Sequence, residues 1–277
     1  MSILGSVLLG TAATGMAASA AGSYDRAAAA EAQYTALRGA EGENLAKTDP
    51  EFAAMKKKYI YGDIYRQAKI SPEMRSLVTL VVLATNQNEQ QIEGAVGEAL
   101  RAGATPLMVR EALYHITPYV GFAKTETAIA AMDEAFQARG IALPLPAQGT
   151  TTDEDRFERG LRFQTDTYGE RITQMRAQTP ANEKHLQDDL SALCFGDIYM
   201  RGTLDLKQRE MLTIAAIGTL GIEAQFRSHV RGTLAAGATE DDVIGVLTVM
   251  NPYVGFPRTL WMMNIANGVF PSQQAGE

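Results

Sequence analysis

The feature that most constrains how this chain folds is an internal repeat. Residues 61–65 (YGDIY) return as residues 195–199 (FGDIY), an offset of 134 positions. The same offset relates residues 118–122 to residues 252–256, which both read PYVGF. Because an uncompensated insertion or deletion between these blocks changes the offset, the copies are expected to share element lengths. The chain is therefore predicted to contain two copies of one domain.

Within each copy the apolar residues follow helical spacing. Phe226, Val230 and Leu234 recur at intervals of four on one face, which is typical of an amphipathic helix. The segments 74–85 and 209–220 are apolar nearly all round, as expected for helices buried in the centre of a bundle. The sequence contains no convincing run of strands. We predict an all-α fold of two tandem helical bundles.

A segment without periodicity separates the two copies. It reads GIALPLPAQGTTT over residues 140–152, and its proline, glycine and threonine content is typical of a linker. The predicted boundaries are a first domain over residues 27–140, a linker over residues 141–152 and a second domain over residues 153–272.

The N-terminus has the composition of a leader. No charged side chain precedes Asp25, and an apolar stretch from Ile3 to about Ala18 leads into an Ala-Ser-Ala site. No lysine or arginine opens the stretch, so a disordered or helical leader remains an alternative to a signal peptide over residues 1–22. A periplasmic or exported location is slightly favoured over a cytoplasmic one, and no stable membrane span is expected.

Charge and cysteine content exclude several classes of function. Twenty-five Lys and Arg stand against 32 Asp and Glu, for a net charge of −7, which disfavours a nucleic-acid partner. The single cysteine, Cys194, excludes an intrachain disulfide, a Cys-x-x-Cys redox pair and a thiolate zinc site within one chain. Phosphate-binding loops, dinucleotide fingerprints and hydrolase elbows are also missing. The chemistry is therefore expected to come from other side chains.

A carboxylate and an imidazole occur only in the second copy. Glu210 and His229 correspond to Ser76 and Ala95 of the first copy, so packing of the shared fold does not require them. Antiparallel helices can bring the two within hydrogen-bond reach. A carboxylate next to an imidazole fixes its tautomer and favours its charged form, which suits proton transfer near neutral pH. We predict Glu210 and His229 as the catalytic pair, with the first copy lacking a complete site.

The candidate substrate-binding residues also lie in the second copy. Arg201, Arg227 and Arg231 have no basic counterpart in the first copy and are predicted to hold a small anionic substrate. Exposed charges or a subunit interface explain them equally well. Tyr253 is a further candidate for orienting a substrate, although Tyr119 repeats it and packing explains a repeated tyrosine better.

The order and spacing of several segments resemble a known family, the carboxymuconolactone decarboxylase and alkylhydroperoxidase-D-like family, here as a tandem pair. The similarity covers nearly all of residues 45–270. In the second copy it rests on the segments FERGL at 157–161, FGDIY at 195–199, LDLKQRE at 204–210, HVRG at 229–232 and YVGFP at 253–257.

The resemblance implies both an assembly and a reaction. Family subunits are small, all-α and trimeric or hexameric, so a two-copy chain is expected to form a homotrimer that imitates a hexamer. Glu210 and His229 match the family's acid and histidine. The decarboxylase branch implies decarboxylation or proton transfer on a small carboxylated lactone or related carbonyl acid, with no cofactor and no metal.

Two other readings stay open. The hydroperoxidase branch carries a Cys-x-x-Cys pair just ahead of the histidine, where this chain has Ile222 and Gln225, so a member of that branch would lack its thiol nucleophile. The chain could instead be a non-catalytic oligomeric binding protein, in which case no substrate gives a rate that depends on His229.

Overall fold

A computed structural model describes residues 24–38 and 45–274. The predicted leader, residues 1–22, lies outside these ranges. Within them every regular element is helical, which confirms the predicted all-α fold. None of the helices in the described part of the chain is long and apolar enough to cross a membrane.

The helices of the first repeat are α1 (Arg26–Arg38), α2 (Leu45–Thr48), α3 (Pro50–Lys57), a π-helical turn (Lys58–Ile64), α4 (Tyr65–Gln67), α5 (Pro72–Thr85), α6 (Glu89–Arg101), α7 (Pro106–His115), α8 (Thr117–Val120) and α9 (Phe122–Gln137). Those of the second repeat are α10 (Arg156–Tyr168), α11 (Glu170–Gln178), α12 (Lys184–Asp189), a π-helical segment (Leu190–Tyr199), α13 (Leu206–Leu220), α14 (Glu223–Ala235), α15 (Glu240–Val254) and α16 (Phe256–Asn267), followed by the short α17 (Pro271–Gln274).

Local sequence signals set the ends of the helix that carries the candidate acid. Asp205 caps α13 by accepting from the backbone of Gln208, whose side chain returns to the backbone of Asp205. At the other end Gly221 adopts a left-handed conformation with φ of 79°, which glycine reaches without a steric penalty. The turn there sends the chain back as α14, so α13 and α14 form an antiparallel hairpin.

The two repeats share one hydrophobic core. Helix α5 of the first repeat packs against α13 and α15 of the second, and α7 also contacts α13. Both α5 and α13 are buried on nearly every face, as the sequence predicts for central helices. Residues from one repeat can therefore reach a site in the other.

The repeat offset is not constant over the whole copy. Arg26 pairs with Asp63 at 2.7 Å, and Arg156 makes the equivalent pair with Asp197. The aspartates differ by 134 positions but the arginines by 130, so the offset of the first helix of each repeat is 130. The four additional residues of the second repeat lie between this arginine and the FGDIY block, the stretch that contains α11.

Candidate active site

The structure brings Glu210 and His229 together. Nδ1 of His229 lies 2.9 Å from Oε2 of Glu210. The Glu210 side chain is completely buried, while 15% of the His229 side chain is exposed. The carboxylate fits between α13 and α14 because Gly232 has no side chain; a Cβ there would lie 2.7 Å from Glu210 Oε2.

Two tyrosines complete the surroundings of the carboxylate. Tyr168 and Tyr199 donate hydrogen bonds to Glu210 Oε1 at 2.7 Å and 2.8 Å. Burial, and then the nearby Glu210 charge, raise the pKa of both phenols above the ordinary value, so both remain neutral donors. The carboxylate thus accepts from two hydroxyls and from the Nδ1–H of His229, which leaves Nε2 of His229 available to a ligand.

Residues of the first repeat extend this network. The hydroxyl of Tyr119 lies 3.0 Å from those of Tyr199 and Thr213. His115 is fully buried, with Nε2 2.8 Å from the Thr213 hydroxyl.

Burial and then the charge of Arg209 lower the pKa of His115 well below its ordinary value, so the ring is neutral. Because the Arg209 guanidinium, 3.5 Å away, can only donate, Nδ1 of His115 accepts and Nε2–H donates to Thr213.

A cavity of about 410 Å³ opens beside His229. Its wall is mainly apolar, and its polar groups include Gln164, Tyr168, Arg171, Gln225 and Ser228. Such a partly enclosed, largely apolar cavity with a few polar groups is typical of a small-molecule site. The imidazole therefore faces a space large enough for a small organic ligand.

Cys194 lines the cavity but is not an activated thiol. The residue is buried, and burial, followed by the Glu210 charge, raises the pKa of its thiol well above the ordinary value. The thiolate is the nucleophilic form of cysteine. The side chain therefore acts here as a small, neutral part of the wall.

The predicted arginines do not converge on this cavity. Arg201 makes two hydrogen bonds, at 2.7 Å and 3.1 Å, to the fully buried Glu111 of the first repeat. Arg227 pairs at 2.9 Å with Glu223 one turn earlier in α14, and Arg231 is exposed. Arg201 and Arg227 are thus engaged in ion pairs and none of the three arginines lines this cavity, so their role in holding a substrate stays a prediction. The arginine at the cavity is Arg171.

Tyr253, the further candidate for orienting a substrate, does not line this cavity. Tyr253 packs against the cluster of Tyr61 and Tyr65 in the first repeat, whereas its counterpart Tyr119 lines the cavity beside His229. The reason is the shared core, in which each repeat sends this tyrosine to the other repeat. The sequence repeat shows which residues are equivalent. It does not show whether a residue packs within its own repeat or in the other one.

Four residues of the hydrogen-bond network around Glu210 and His229 escaped the sequence analysis. Tyr168 lies on the first helix of its repeat, where equivalent residues of the two repeats are 130 positions apart. A comparison of the repeats at 134 positions therefore missed it. Tyr119 and Tyr199 are repeated and therefore look structural, while the hydrogen-bond partners of His115, Thr213 and Arg209, lie in the other repeat. In each case the contact that gives the residue its place is long-range.

The first repeat contains a different buried cluster. Glu98 accepts from Tyr61 and Tyr65 at 2.5 Å and 3.1 Å and forms an ion pair with Arg38. Arg38 also lies over Gly94, where a Cβ would be 2.2 Å from its Nη1. Gly94 and Ala95 are the counterparts of Ser228 and His229, so the arginine packs where the second repeat has its serine and imidazole.

Comparison with known proteins identifies related sequences. The model of the carboxymuconolactone decarboxylase family matches twice, at residues 50–134 and 184–268. A 4-carboxymuconolactone decarboxylase of Acinetobacter baylyi is 29% identical over 120 residues, which are 43% of this chain and 89% of that protein. The peroxisomal protein 2 of Schizosaccharomyces pombe is 23% identical over 186 residues, or 65% of this chain and 85% of that protein.

A solved structure shares the fold. The crystal structure of a putative gamma-carboxymuconolactone decarboxylase subunit from Burkholderia xenovorans matches with a TM-score of 0.51 and 19% identity. The match covers 91% of this chain and 97% of the other. At this identity the likeness concerns the arrangement of helices.

Proposed function

Because the chain belongs to the carboxymuconolactone decarboxylase family, we propose that it is a cofactor-independent enzyme that decarboxylates, or moves a proton on, a small carboxylated lactone or related carbonyl acid. The observation that carries the proposal is the buried Glu210 hydrogen-bonded to His229 at the wall of the cavity. The relative from Acinetobacter baylyi, named as a 4-carboxymuconolactone decarboxylase, supports the class of reaction.

The proposed reaction assigns a proton donor. When the bond between carbon and the carboxyl group breaks, carbon dioxide leaves, and the electron pair moves through the conjugated system onto the carbonyl oxygen. The resulting dienolate takes a proton at carbon from Nε2–H of His229, and the carbonyl forms again. Water then returns a proton to His229. Glu210 holds the ring through Nδ1, while donors in the cavity meet the charge on the oxygen.

The proposal extends to a homotrimer in which six repeats imitate a hexamer. Phe122 and Phe256 occupy equivalent positions in the two repeats, and 59% and 61% of their surfaces are exposed. Matching apolar residues on both repeats suit a ring in which first and second repeats alternate. Sedimentation equilibrium should give three times the mass of the chain. A monomer would contradict this part of the proposal alone.

The test of the function is turnover on a set of carboxylated lactones and β- or vinylogous keto acids, followed by release of carbon dioxide. We expect His229→Ala to lower kcat by about 10²- to 10⁴-fold, the usual contribution of a general acid. His185→Gln is the matched control because His185 is exposed. Turnover retained in His229→Ala would refute the mechanism, and absence of turnover on every substrate in the wild type would favour a binding protein.

A further inference from the structure

We infer that Arg171 and Ser228 form a carboxylate-anchoring subsite at the open end of the cavity, and that the ligand is a small carbonyl acid with one retained carboxylate on an otherwise uncharged frame. The inference rests on the proposed function, whose substrate class it narrows. Five features of the structure support it: the positions of the two side chains beside His229, the charge of Arg171, the apolar wall of the cavity, a buried amide in that wall, and the absence of the subsite from the first repeat.

The geometry places two donors next to the imidazole. Gly169, with φ of 70°, turns the chain from α10 into α11, and Arg171 is the second residue of α11. Its Nη1 donates to the Ser228 hydroxyl at 3.1 Å. Ser228 immediately precedes His229 on α14, and all three side chains line the cavity. A carboxylate bound by Arg171 and Ser228 would therefore lie next to His229, the proposed proton donor.

Among the described residues the guanidinium of Arg171 has Ser228 as a hydrogen-bond partner but no carboxylate partner. Within residues 24–38 and 45–274, no carboxylate pairs with it, in contrast to Arg227, which Glu223 neutralises. Among the cavity-lining residues in these ranges it is also the one lysine or arginine, and no aspartate or glutamate accompanies it. A guanidinium with free donors at a concave surface matches the planar geometry of a carboxylate.

The rest of the wall limits the number of charges that a ligand can carry. Most of the other side chains that line the cavity are apolar, among them Met175, Leu190, Ile217, Leu220 and Ile222. A retained second carboxylate would lose its hydration against these groups without a compensating cation. One carboxylate on an apolar frame therefore fits the cavity best.

A buried amide supplies a place for the carbonyl oxygen. Gln164 lines the cavity and is 3% exposed. Its Oε1 accepts from the Ser191 hydroxyl at 2.7 Å, which leaves the amide NH2 as a donor. Because an amide NH2 can donate to a carbonyl oxygen, a ligand with a carbonyl oxygen near Gln164 gains from this contact.

The first repeat lacks the subsite. The counterpart of Ser228 is Gly94, and Arg38 packs directly over it while paired with Glu98. The arginine of the first repeat is therefore neutralised inside the protein, whereas Arg171 keeps its charge for a ligand.

The experiment measures binding of benzoate and its neutral analogue benzamide to the full chain by calorimetry. We expect wild type to bind benzoate more tightly than benzamide, and Arg171→Gln to weaken benzoate by about 10-fold or more while leaving benzamide unchanged. Arg171→Lys keeps the positive charge but not the planar, two-pronged geometry of the guanidinium. Its benzoate affinity should lie between those of wild type and Arg171→Gln. Arg231→Gln is the matched control, because Arg231 is an exposed arginine three residues after Ser228.

Several outcomes would overturn the subsite. These are equal benzoate affinity in wild type and Arg171→Gln, an equal loss in Arg231→Gln, and no saturable benzoate binding to wild type up to about 10 mM, a weak affinity even for a fragment of this size. Ser228→Ala provides a milder second variant, with an expected loss of a few-fold from one hydrogen bond.

His229→Ala separates this inference from the proposed function. If it keeps turnover, the mechanism fails while the anchor stands. If it loses turnover and Arg171→Gln binds benzoate as tightly as wild type, the anchor alone fails.

Discussion

Each repeat buries a glutamate that accepts a hydrogen bond from an equivalent tyrosine, but the glutamate comes from a different helix in each repeat. Tyr65 and Tyr199 are equivalent, and they donate to Glu98 and Glu210 respectively. Glu98 lies on α6 at the position of Gly232, whereas Glu210 lies on α13, at the position of Ser76 in the first repeat. Both repeats thus contain a buried carboxylate with a tyrosine donor, but the carboxylate lies at a different position of the repeat in each.

The partner of the carboxylate decides what each cluster can do. In the first repeat Arg38 supplies a permanent positive charge, which does not release a proton near neutral pH. In the second repeat the partner is the imidazole of His229, a group that can both take up and release a proton, and a cavity lies beside it. The two clusters therefore differ in their partner group: a guanidinium that keeps its proton in the first repeat and an imidazole that can exchange one in the second.

The largest expected difference between the repeats is the effect of neutralising each glutamate. Glu210→Gln should lower kcat by about 10²- to 10⁴-fold, because the His229 ring loses the carboxylate that fixes its tautomer. Glu98→Gln should leave kcat within about twofold and lower the free energy of unfolding by about 1–3 kcal/mol. Steady-state kinetics and urea unfolding measure the two effects. Equal losses of kcat would show that the repeats do not differ in function.

Adding one methyl group tests the positioning of the carboxylates. In Gly232→Ala the new Cβ would lie 2.7 Å from Glu210 Oε2, so the carboxylate must shift from its present position beside His229. We expect kcat to fall by about 10- to 100-fold, since small displacements of catalytic groups have effects of this size.

Gly94→Ala is the matched control, as its Cβ would meet Arg38 in the first repeat. Its kcat should remain close to wild type. An unchanged kcat in Gly232→Ala would mean that the carboxylate position does not matter.

The exchange of tyrosines between repeats predicts unequal effects of two identical substitutions. Tyr119→Phe removes a hydroxyl that contacts Tyr199 and Thr213, and kcat should fall by about 2- to 10-fold, as for one neutral hydrogen bond. Tyr253→Phe should leave kcat unchanged because Tyr253 packs in the other repeat. The reverse order would place Tyr253 in the catalytic site.

The smallest expected effect concerns pH and His115. Burial and Arg209 depress its pKa in the folded chain, so below an ordinary value of about 6.5 the unfolded chain binds a proton that the folded chain does not. Stability should fall as pH drops through this range, by at most about 1.4 kcal/mol per pH unit from this group, and no contribution is expected above it.

Urea unfolding at a series of pH values measures this slope. His115→Gln should show a smaller slope than wild type, whereas His185→Gln, at an exposed position, should keep it. Equal slopes in all three proteins would contradict the assignment.

The sequence determined the architecture and the identity of the central pair. The constant offset between the YGDIY and PYVGF blocks is sufficient to recognise a duplicated domain, and helical periodicity gives the fold class. The absence of Glu210 and His229 from the first repeat is also visible in the sequence. These are local or pairwise patterns, and they need no knowledge of how helices pack.

Only the tertiary structure decided which side chains surround that pair. Arg201 pairs with Glu111 and Tyr253 enters the other repeat because the helices of both repeats share a core. For the same reason Tyr119 and His115 reach the site across the repeat boundary, and Arg171 reaches Ser228 from a separate helix. Spacing along a helix fixes which face a residue occupies, but contacts between distant helices depend on packing, which the pattern of one sequence does not contain.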